Sequence, residues 1–415
     1  MAATFQIPLD IPDVEILSTE VDEQGALLIK VESTLRSTRC RRCGRDIDRF
    51  HGYDQPIRLR HLPILEQKVY IEVRPKRYQC PHCKGGPTTT QRCAWYQANS
   101  PHTKAFDRWL LKNLINSTVE DVSRKLEVGK AAVEGTVGRW VSDRIDWSRF
   151  ERLETLGIDE IALRKGHDDF VTVISHRDHQ GEVVVLAILA DRRKETVKTF
   201  LLGIPAPLKA TLQRVCSDMY EGYTNAVREA LPGVELVIDR FHVARHYRAG
   251  ADRLRKQTLR ELKKTLSDQD YEPLKGLLWP FRRDWTRLAD TQQQQLLPLF
   301  ERAPELREAY VLRNVLTMIF DHATNKTEAQ QYLHAWRQAV KKSGLRCFDA
   351  FLKTLDHWFD EISNYFHDRH NSGFVEGLNN KLKVIKRRCY GLLDPMRLFQ
   401  RIQLDLDGDR ILASI

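Results

Sequence analysis

No apolar run in this chain approaches the ~18 residues a membrane-spanning helix needs, and the opening MAATFQIPLDIPDVEIL lacks a charged segment followed by an apolar core. A membrane span and a secretory leader are therefore not expected, and a cytoplasmic location is. Cysteine is scarce. Eight in 415 residues are too few for a disulfide scaffold, and four of them fall in CxxC pairs, the usage of a metal-binding protein in a reducing compartment. There is no internal repeat, and low complexity is confined to Gln292–Gln295. Negative charge is in deficit: 56 Asp and Glu against 66 Lys and Arg leave a net charge of +10. That balance favours a phosphate-bearing partner through counterion release, although many basic proteins bind no nucleic acid. With 42% hydrophobic and 29% charged residues the chain reads as ordinary globular protein, and its length predicts two to four domains.

The cysteine pairs are Cys40-Arg-Arg-Cys43-Gly44 and Cys80-Pro-His-Cys83. Each offers two thiolates on a tight turn, and two such knuckles close a tetrahedral zinc site. The 36 residues between them exceed the usual ribbon spacing, so His51, His61, His82 and Cys93 stand as substitute ligands, and free cysteines or a redox pair remain as alternatives. Arg36, Arg39, Arg41, Arg42 and Arg45 crowd the first knuckle, which suggests contact with a phosphate backbone.

Before the knuckles, ALLIKV (residues 26–31) is the clearest strand. After them, NSTVEDVSRKLEVGKAAVEGTVGRWVSD reads as two helices across a Gly-containing turn. Ser117 or Thr118 caps the first, with Val119, Val122 and Leu126 inward. Val133, Val137, Trp140 and Val141 stripe the second. This is the pattern of a helix-turn-helix, with Lys130, Glu134 and Arg139 on or near its solvent side; a helical hairpin that only packs is the alternative.

Residues 153–245 change period. LGIDEIAL, DDFVTVIS and GEVVVLAILA are β-rich runs separated by polar turns, followed by the helix KETVKTFLLGI, the strand RVCSD, a helix near 220–231 and the strand VELVID. Three hairpin-linked strands, then helix, strand, helix and strand, make the order of a ribonuclease H-like fold. Residues from about 245 to 366 are almost wholly helical and read as an insertion. The divisions expected are residues 1–98 (strands and zinc module), 99–148 (helix-turn-helix), 149–244 (first part of the core), 245–366 (all-helical insertion) and 367–415 (final helical part of the core). The fold class is multidomain α/β.

Three carboxylates fall where that fold gathers them. Asp159 lies in a run whose apolar parity changes after it, so the strand is kinked or buried on both sides, and an acid there is costly unless ligated. Asp218 follows a strand at its carboxyl end, the edge where α/β sheets place ligands. Glu376 heads NSGFVEGLNNKLKVIKRR, where helical winding aligns it with Asn380, Lys383 and Arg387, opposite Val375, Leu378, Leu382 and Ile385. Converging carboxylates suit a pair of Mg²⁺ ions in phosphodiester displacement. Blander roles are open for each acid: a turn for Asp159, a capping box with Glu221 for Asp218, and ion pairing on a solvated face for Glu376. Asp168, Asp169 and Asp178 are weaker candidates in polar turns. The basic run Arg253, Arg255, Lys256, Arg260, Lys263 and Lys264 is a solvated face or a DNA contact, and Trp279, Trp285 and Trp336 are core residues or stacking platforms.

GIDEIALRKG, VCSDMYEGY, VIDRFHVAR and NSGFVEGLNNKLKVIKRR, with CRRCG and CPHC in matching order, resemble the signature blocks of the ISL-three (ISL3) family of bacterial insertion-sequence transposases. The resemblance covers nearly the whole chain. It implies a DDE transposase with a ribonuclease H-like core: Asp159, Asp218 and Glu376 holding Mg²⁺ or Mn²⁺, zinc on Cys40, Cys43, Cys80 and Cys83, and DNA cleavage and strand transfer at the inverted repeats of its own element. Asp239 and His242 of DRFH take a supporting role, with Asp239 the alternative second ligand. Expected DNA contacts are Arg41, Arg42, Lys130, Arg139, Asn380, Lys383 and Arg387. Expected partners are double-stranded DNA and further copies of the chain as a dimer or larger assembly, in the bacterial cytoplasm near the nucleoid. A catalytically inactive DNA-binding regulator and a nuclease that never joins strands are the competing expectations.

Overall fold

The computed structural model describes residues 8–9, 11–163, 170–177, 181–367, 373–389 and 392–415, with the side chains of 373–376 and 379 outside the description. The chain divides into two compact units: residues 1–143 with 400–415, and residues 144–399.

Among the described residues of the first unit nine strands precede any helix: β1 (Val14–Val21), β2 (Leu27–Ser33), β3 (Thr38–Arg39), β4 (Asp46–Ile47), β5 (Arg49–Tyr53), β6 (Ile57–Ile64), β7 (Gln67–Val73), β8 (Lys76–Gln79) and β9 (Thr88–Thr90). They form a four-stranded sheet in the order β1-β2-β7-β6, a three-stranded sheet β5-β8-β9 and the ribbon β3-β4. Alternation buries Ile29 and Val31 of β2 and Val69, Ile71 and Val73 of β7 against Cys93 and Trp95.

Three helices follow, α1 (Lys104–Leu114), α2 (Val119–Leu126) and α3 (Lys130–Trp140). Thr118 caps α2, its hydroxyl accepting from the Asp121 amide at 2.9 Å. Glu127, at φ 49°, turns the chain toward α3. Val122, Leu126, Val133, Val137 and Val141 face inward as their periodicity predicts, onto Phe106, Leu110 and Leu114 of α1. Leu404 and Ile411 complete this core, and the Arg401 guanidinium donates to the carbonyls of Leu114 and Ser117. The last residues, grouped by sequence with the preceding helical segment, thus pack with α1–α3.

The second unit is built on five strands, β10 (Thr155–Ala162), β11 (Phe170–Arg177), β12 (Val183–Leu189), β13 (Arg214–Ser217) and β14 (Glu235–Ile238), in the order β12-β11-β10-β13-β14. The first three are antiparallel neighbours, and β13 and β14 continue the sheet parallel to β10. Strand β10 is unbroken in register with β11, and Leu156, Ile158 and Ile161 are all buried. Of the two explanations for its change of parity, burial on both faces is correct and a kink is not.

One sheet face sets Leu156, Ile158, Val215 and Leu236 against α4 (Lys194–Leu202) and α6 (Glu221–Ala230), with the short α5 (Ala206–Lys209) between those helices in sequence. Cys216 and Val237, of opposite parity, join the core of a helical array: α7 (Arg240–Thr265), α8 (Asp268–Tyr271), α9 (Leu278–Arg282), α10 (Asp290–Arg302), α11 (Pro304–His322), α12 (Lys326–Ser343), α13 (Asp349–His357) and α14 (Phe359–Asn364). Then comes α15 (Gly373–Arg388), which packs on β10, where the Lys386 ammonium donates to the Ala162 carbonyl at 2.5 Å.

Asp107 ties α1 to α3. Its carboxylate, 1% exposed, pairs with His102 Nδ1 at 2.8 Å and accepts from Trp140 Nε1 at 2.8 Å, Thr136 Oγ1 at 3.1 Å and Arg139 Nη2 at 3.1 Å. Burial would push this carboxyl up, but the His102 and Trp140 hydrogen bonds and the Arg139 charge outweigh it and hold the group below its usual range. A depressed acid stabilises above its unfolded pKa of ~3.9 and loses that stabilisation as pH falls through its folded value. Asp107→Ala leaves the buried His102 and the half-buried Arg139 without their shared partner and is expected to cost about 3 kcal/mol in urea unfolding of the first unit at pH 7. The difference from wild type should begin to shrink below about pH 4, as the unfolded wild-type chain takes up a proton at Asp107, and close only once pH has fallen through the lower folded value.

Candidate metal and nucleic-acid sites

The register of the parallel strands sets the first constellation. Ile158 lies opposite Ser217, and Ser217 opposite Ile238, so one step further each strand reaches an acid: Asp159, Asp218 and Asp239. By alternation all three project to the face of Gly157, Cys216 and Val237, the side that packs on the helical array. Asp159 Oδ1 accepts from the Glu160 amide at 2.7 Å. Burial raises its carboxyl, Asp239 and Glu160 add to the rise, and the Glu160 amide and His242 oppose it. Asp218 is pushed up to about 6, by burial first and then by Asp159 and Glu160, against His242 and the Tyr220 amide. Its Oδ1 is buried with no hydrogen-bond partner among the described residues.

The capping-box reading of Asp218 is corrected: Tyr220, not Asp218, is the residue at the N-cap of α6, and no side chain caps that helix. Asp239 does cap a helix. Its Oδ1 accepts from the Phe241 amide at 2.8 Å at the start of α7, and His242 Nε2 lies 3.9 Å from Oδ2. The two candidates for second ligand thus differ in kind, since Asp239 spends an oxygen on the helix terminus and Asp218 keeps one unengaged.

Glu376 belongs to α15, but its side chain lies outside the described residues, as do Val375 and the whole of Asp168, Asp169 and Asp178. The rest of α15 is amphipathic as read: Leu378, Leu382 and Ile385 are buried, and Asn380, Lys383 and Arg387 are exposed. Sequence reasoning passed over Glu160, whose charge bears on both Asp159 and Asp218 and whose Oε2 lies 3.4 Å from Arg192 Nη1. Its place in the quoted GIDE block was the available signal. The Lys386 anchor to β10 was also missed, hidden in a basic run where any Lys reads as solvated.

The second constellation is in the first unit. Cys40, Cys43, Cys80 and Cys83 place their sulfurs within 4.8 Å of one another, with Cys40 to Cys83 at 4.0 Å and Cys43 to Cys80 at 3.7 Å. A tetrahedron with Zn–S bonds of ~2.3 Å separates its sulfurs by roughly 3.8 Å, so the four thiols fit that ion. The amides of Cys43 and Arg42 draw the Cys40 thiol down to about 6, while burial and the neighbouring thiols push Cys83 up to about 12. None of the substitute ligands joins: His61 is buried against Thr103 at 2.9 Å, and Cys93 lies in the core of the four-stranded sheet.

The expected DNA contacts separate in the structure. Arg41 and Arg42 are exposed beside the first knuckle, Arg42 Nη1 donating to the Lys84 carbonyl at 3.3 Å. Lys130 is exposed and pairs with Glu120. The solvent-side reading of Arg139 is corrected: its guanidinium bonds the buried Asp107 and Thr136. Within the basic run, Arg255 turns inward to Asp252 at 2.9 Å.

Similarity to known proteins follows this division. A model described as the zinc-finger of transposase IS204/IS1001/IS1096/IS1165 matches residues 36–83, the segment of the four cysteines. The transposase of insertion sequence element IS1001 from Bordetella parapertussis is 28% identical over 400 residues, 95% of each chain. That of IS1557 from Mycobacterium tuberculosis is 24% identical over 425 residues, 96% of this chain and 93% of its own. The Drosophila P element transposase in a strand transfer complex aligns over 78% of this chain and 94% of that one, at 11% identity and a TM-score of 0.41, too loose a likeness to establish a fold. A transposase family model matches residues 156–402, more than half of the chain, from the second residue of β10 through α15, and the chain therefore belongs to the ISL3 transposase family.

Proposed function

We propose that the unit of residues 144–399 is a ribonuclease H-like core that cleaves and joins DNA, using Asp159, Asp218 and Glu376 to hold Mg²⁺ or Mn²⁺. The observation that carries this reading is the buried, unengaged Asp218 oxygen one step from Asp159 across adjacent parallel strands. Carboxylates in that state are costly in a sheet interior, and hard oxygen ligands match a hard divalent ion. Bound there, such ions supply Lewis acidity to phosphodiester displacement, activating water or a 3′-hydroxyl and steadying the leaving oxygen. The strand order, an antiparallel meander continued by two parallel strands, supports the fold assignment.

The chain's own residues do the rest. Asp239 fixes the first turn of α7 and so sets His242 beside the acids. Asn380, Lys383 and Arg387 offer the exposed face of α15 to phosphates, Arg41 and Arg42 do so beside the zinc knuckle, and α2–α3 acts as a helix-turn-helix with Lys130 outward. In this division residues 1–98 and 99–148 recognise the ends, 149–244 and 367–399 supply the core, 245–366 is its insertion, and 400–415 pack with α1–α3. Joining two element ends calls for two or more copies of the chain acting together.

Asp159→Ala and Asp218→Asn should each lower Mg²⁺-dependent cleavage and joining by more than the ~10²-fold typical of losing a supporting residue, while end binding persists. Asp218→Asn should also raise the thermal midpoint in EDTA, because it removes a charge that burial disfavours. Cleavage unchanged in both variants sinks the assignment, and cleavage of DNA with no joined product from pre-cut ends and a circular target leaves a nuclease.

For the four cysteines, elemental analysis of purified protein should find one zinc per chain. Cys80→Ser should release the metal and loosen residues 36–90 to proteolysis, since the small sheets around the knuckles have little core of their own. A zinc-free protein with intact knuckles rejects the metal.

A further inference from the structure

Within the second unit a cleft lies between α7 and α9, lined by Arg245, Arg248, Arg253 and Lys256 of α7 and by Trp279 and Arg282 of α9. Arg245 and Arg248, and Arg253 and Lys256, are three residues apart, and the second pair follows the first by eight, so the four lie on one side of the helix, with His242 three residues before Arg245. Asp252, the acid in this stripe, is already occupied: it is buried and binds Arg255 at 2.9 Å and Arg282 at 2.8 Å. Arg245, Arg248 and Arg253 are exposed and have no carboxylate partner among the described residues. Three guanidinium groups without a carboxylate partner among the described residues, on one side of the helix, form a surface complementary to a polyanion.

Trp279 gives the cleft its second property. Its side chain is 66% exposed, whereas Trp95, Trp336 and Trp358 are each 6% exposed or less. The helix that carries it is held from beneath. Arg313, 2% exposed, donates to the carbonyl of Phe281 and, at 2.8 Å, to that of Arg283. Arg282 lies over the indole at 5.8 Å. A large flat apolar surface kept in water on an anchored turn among cations combines the two elements that bind single-stranded nucleic acid, a stacking platform and a phosphate track. A base inside a duplex has both faces covered, so Trp279 selects an unpaired one.

We propose that this cleft holds an unpaired segment of DNA leading to the acid site, with its phosphates on Arg245, Arg248 and Arg253 and one nucleobase stacked on Trp279. From His242 to Arg253 the helix rises about 16 Å, a few nucleotides of strand. The proposal rests on the reading of Asp159 and Asp218 as a DNA-cleaving site.

The test uses the full chain and two labelled duplexes of one sequence, blunt or carrying a roughly five-nucleotide single-stranded extension, with affinity read by anisotropy. Wild type should prefer the extended duplex. Trp279→Ala should lose about tenfold on it and nothing on the blunt one, and Trp279→Phe should keep most of the preference. Replacing Arg245, Arg248 and Arg253 together by Ala should weaken binding to the extended duplex and reduce its logarithmic salt slope by about 2. Because Trp279 is exposed, an unchanged thermal midpoint is expected for both of its variants. If wild type cleaves DNA yet has no such preference, or Trp279→Ala binds both duplexes like wild type, the cleft proposal is overturned and the cleavage reading stands. If the Trp279-dependent preference appears but wild type cleaves neither duplex with Mg²⁺, the cleft stands and the cleavage reading falls.

Discussion

Taking a carboxylate out of water costs several kcal/mol unless positive charge or donated hydrogen bonds meet it, and the two units of this chain answer that cost in opposite ways. Asp107 is surrounded by His102, Trp140, Thr136 and Arg139, and its carboxyl stays below the usual range. Asp218 is also withdrawn from water, yet it sits beside Asp159 and Glu160, keeps one oxygen unengaged and is raised to about 6. An acid with a structural task is given its counter-charges by the fold. Asp218 is given further acids, a pattern that is costly for stability and is found where ligands bind.

What could be read from the sequence was what repeats with a period. The strands of the second unit, the Thr118 cap, the inward stripe of α2 and α3 and the two faces of α15 all rest on spacings of two or 3.6 residues, and burial follows them. The acids were legible as strand-end residues, but the fact that brings them level is the pairing register, which is a long-range property. Asp218 and Asp239 differ in a smaller matter, which residue caps α6 and which caps α7. Arg139 and Arg255 were misjudged as solvated or DNA-facing because an arginine's guanidinium lies several bonds from its Cα and can turn back to a buried acid. Glu376 is placed by its helix and by sequence alone.

The long gap between the cysteine pairs has a structural reason. After Cys43 the chain leaves the knuckle, builds β6 and β7 of the four-stranded sheet and returns through β8 to Cys80. The segments on either side of that excursion are short, polar and weakly alternating, so β3, β4, β5, β8 and β9 carried little signal of their own. Strands this short are held by what they attach to. Cys40, Ile47, Tyr78 and Cys80 make up the small core beneath them, and half of that core is cysteine. An ion closing the four sulfurs would therefore replace the hydrophobic burial this module lacks.

Helix α7 brings the themes of the second unit together. Its first turn is capped by Asp239 and carries His242, which stands beside the acids. Its middle carries Arg245, Arg248 and Arg253, and its inner face joins the core through Val243, Tyr247 and Ala251. With a screening length of ~8 Å at physiological ionic strength, Arg253, about 16 Å of helix rise beyond His242, does little to ease the ionisation of the acids. It can still hold a phosphate a few nucleotides away. A DNA strand delivered to Asp159 and Asp218 adds negative charge where negative charge is already in excess. If the cleft holds DNA as proposed, the arginines of α7 would offset the strand's own repulsion at a distance while leaving the acids' demand for a cation intact.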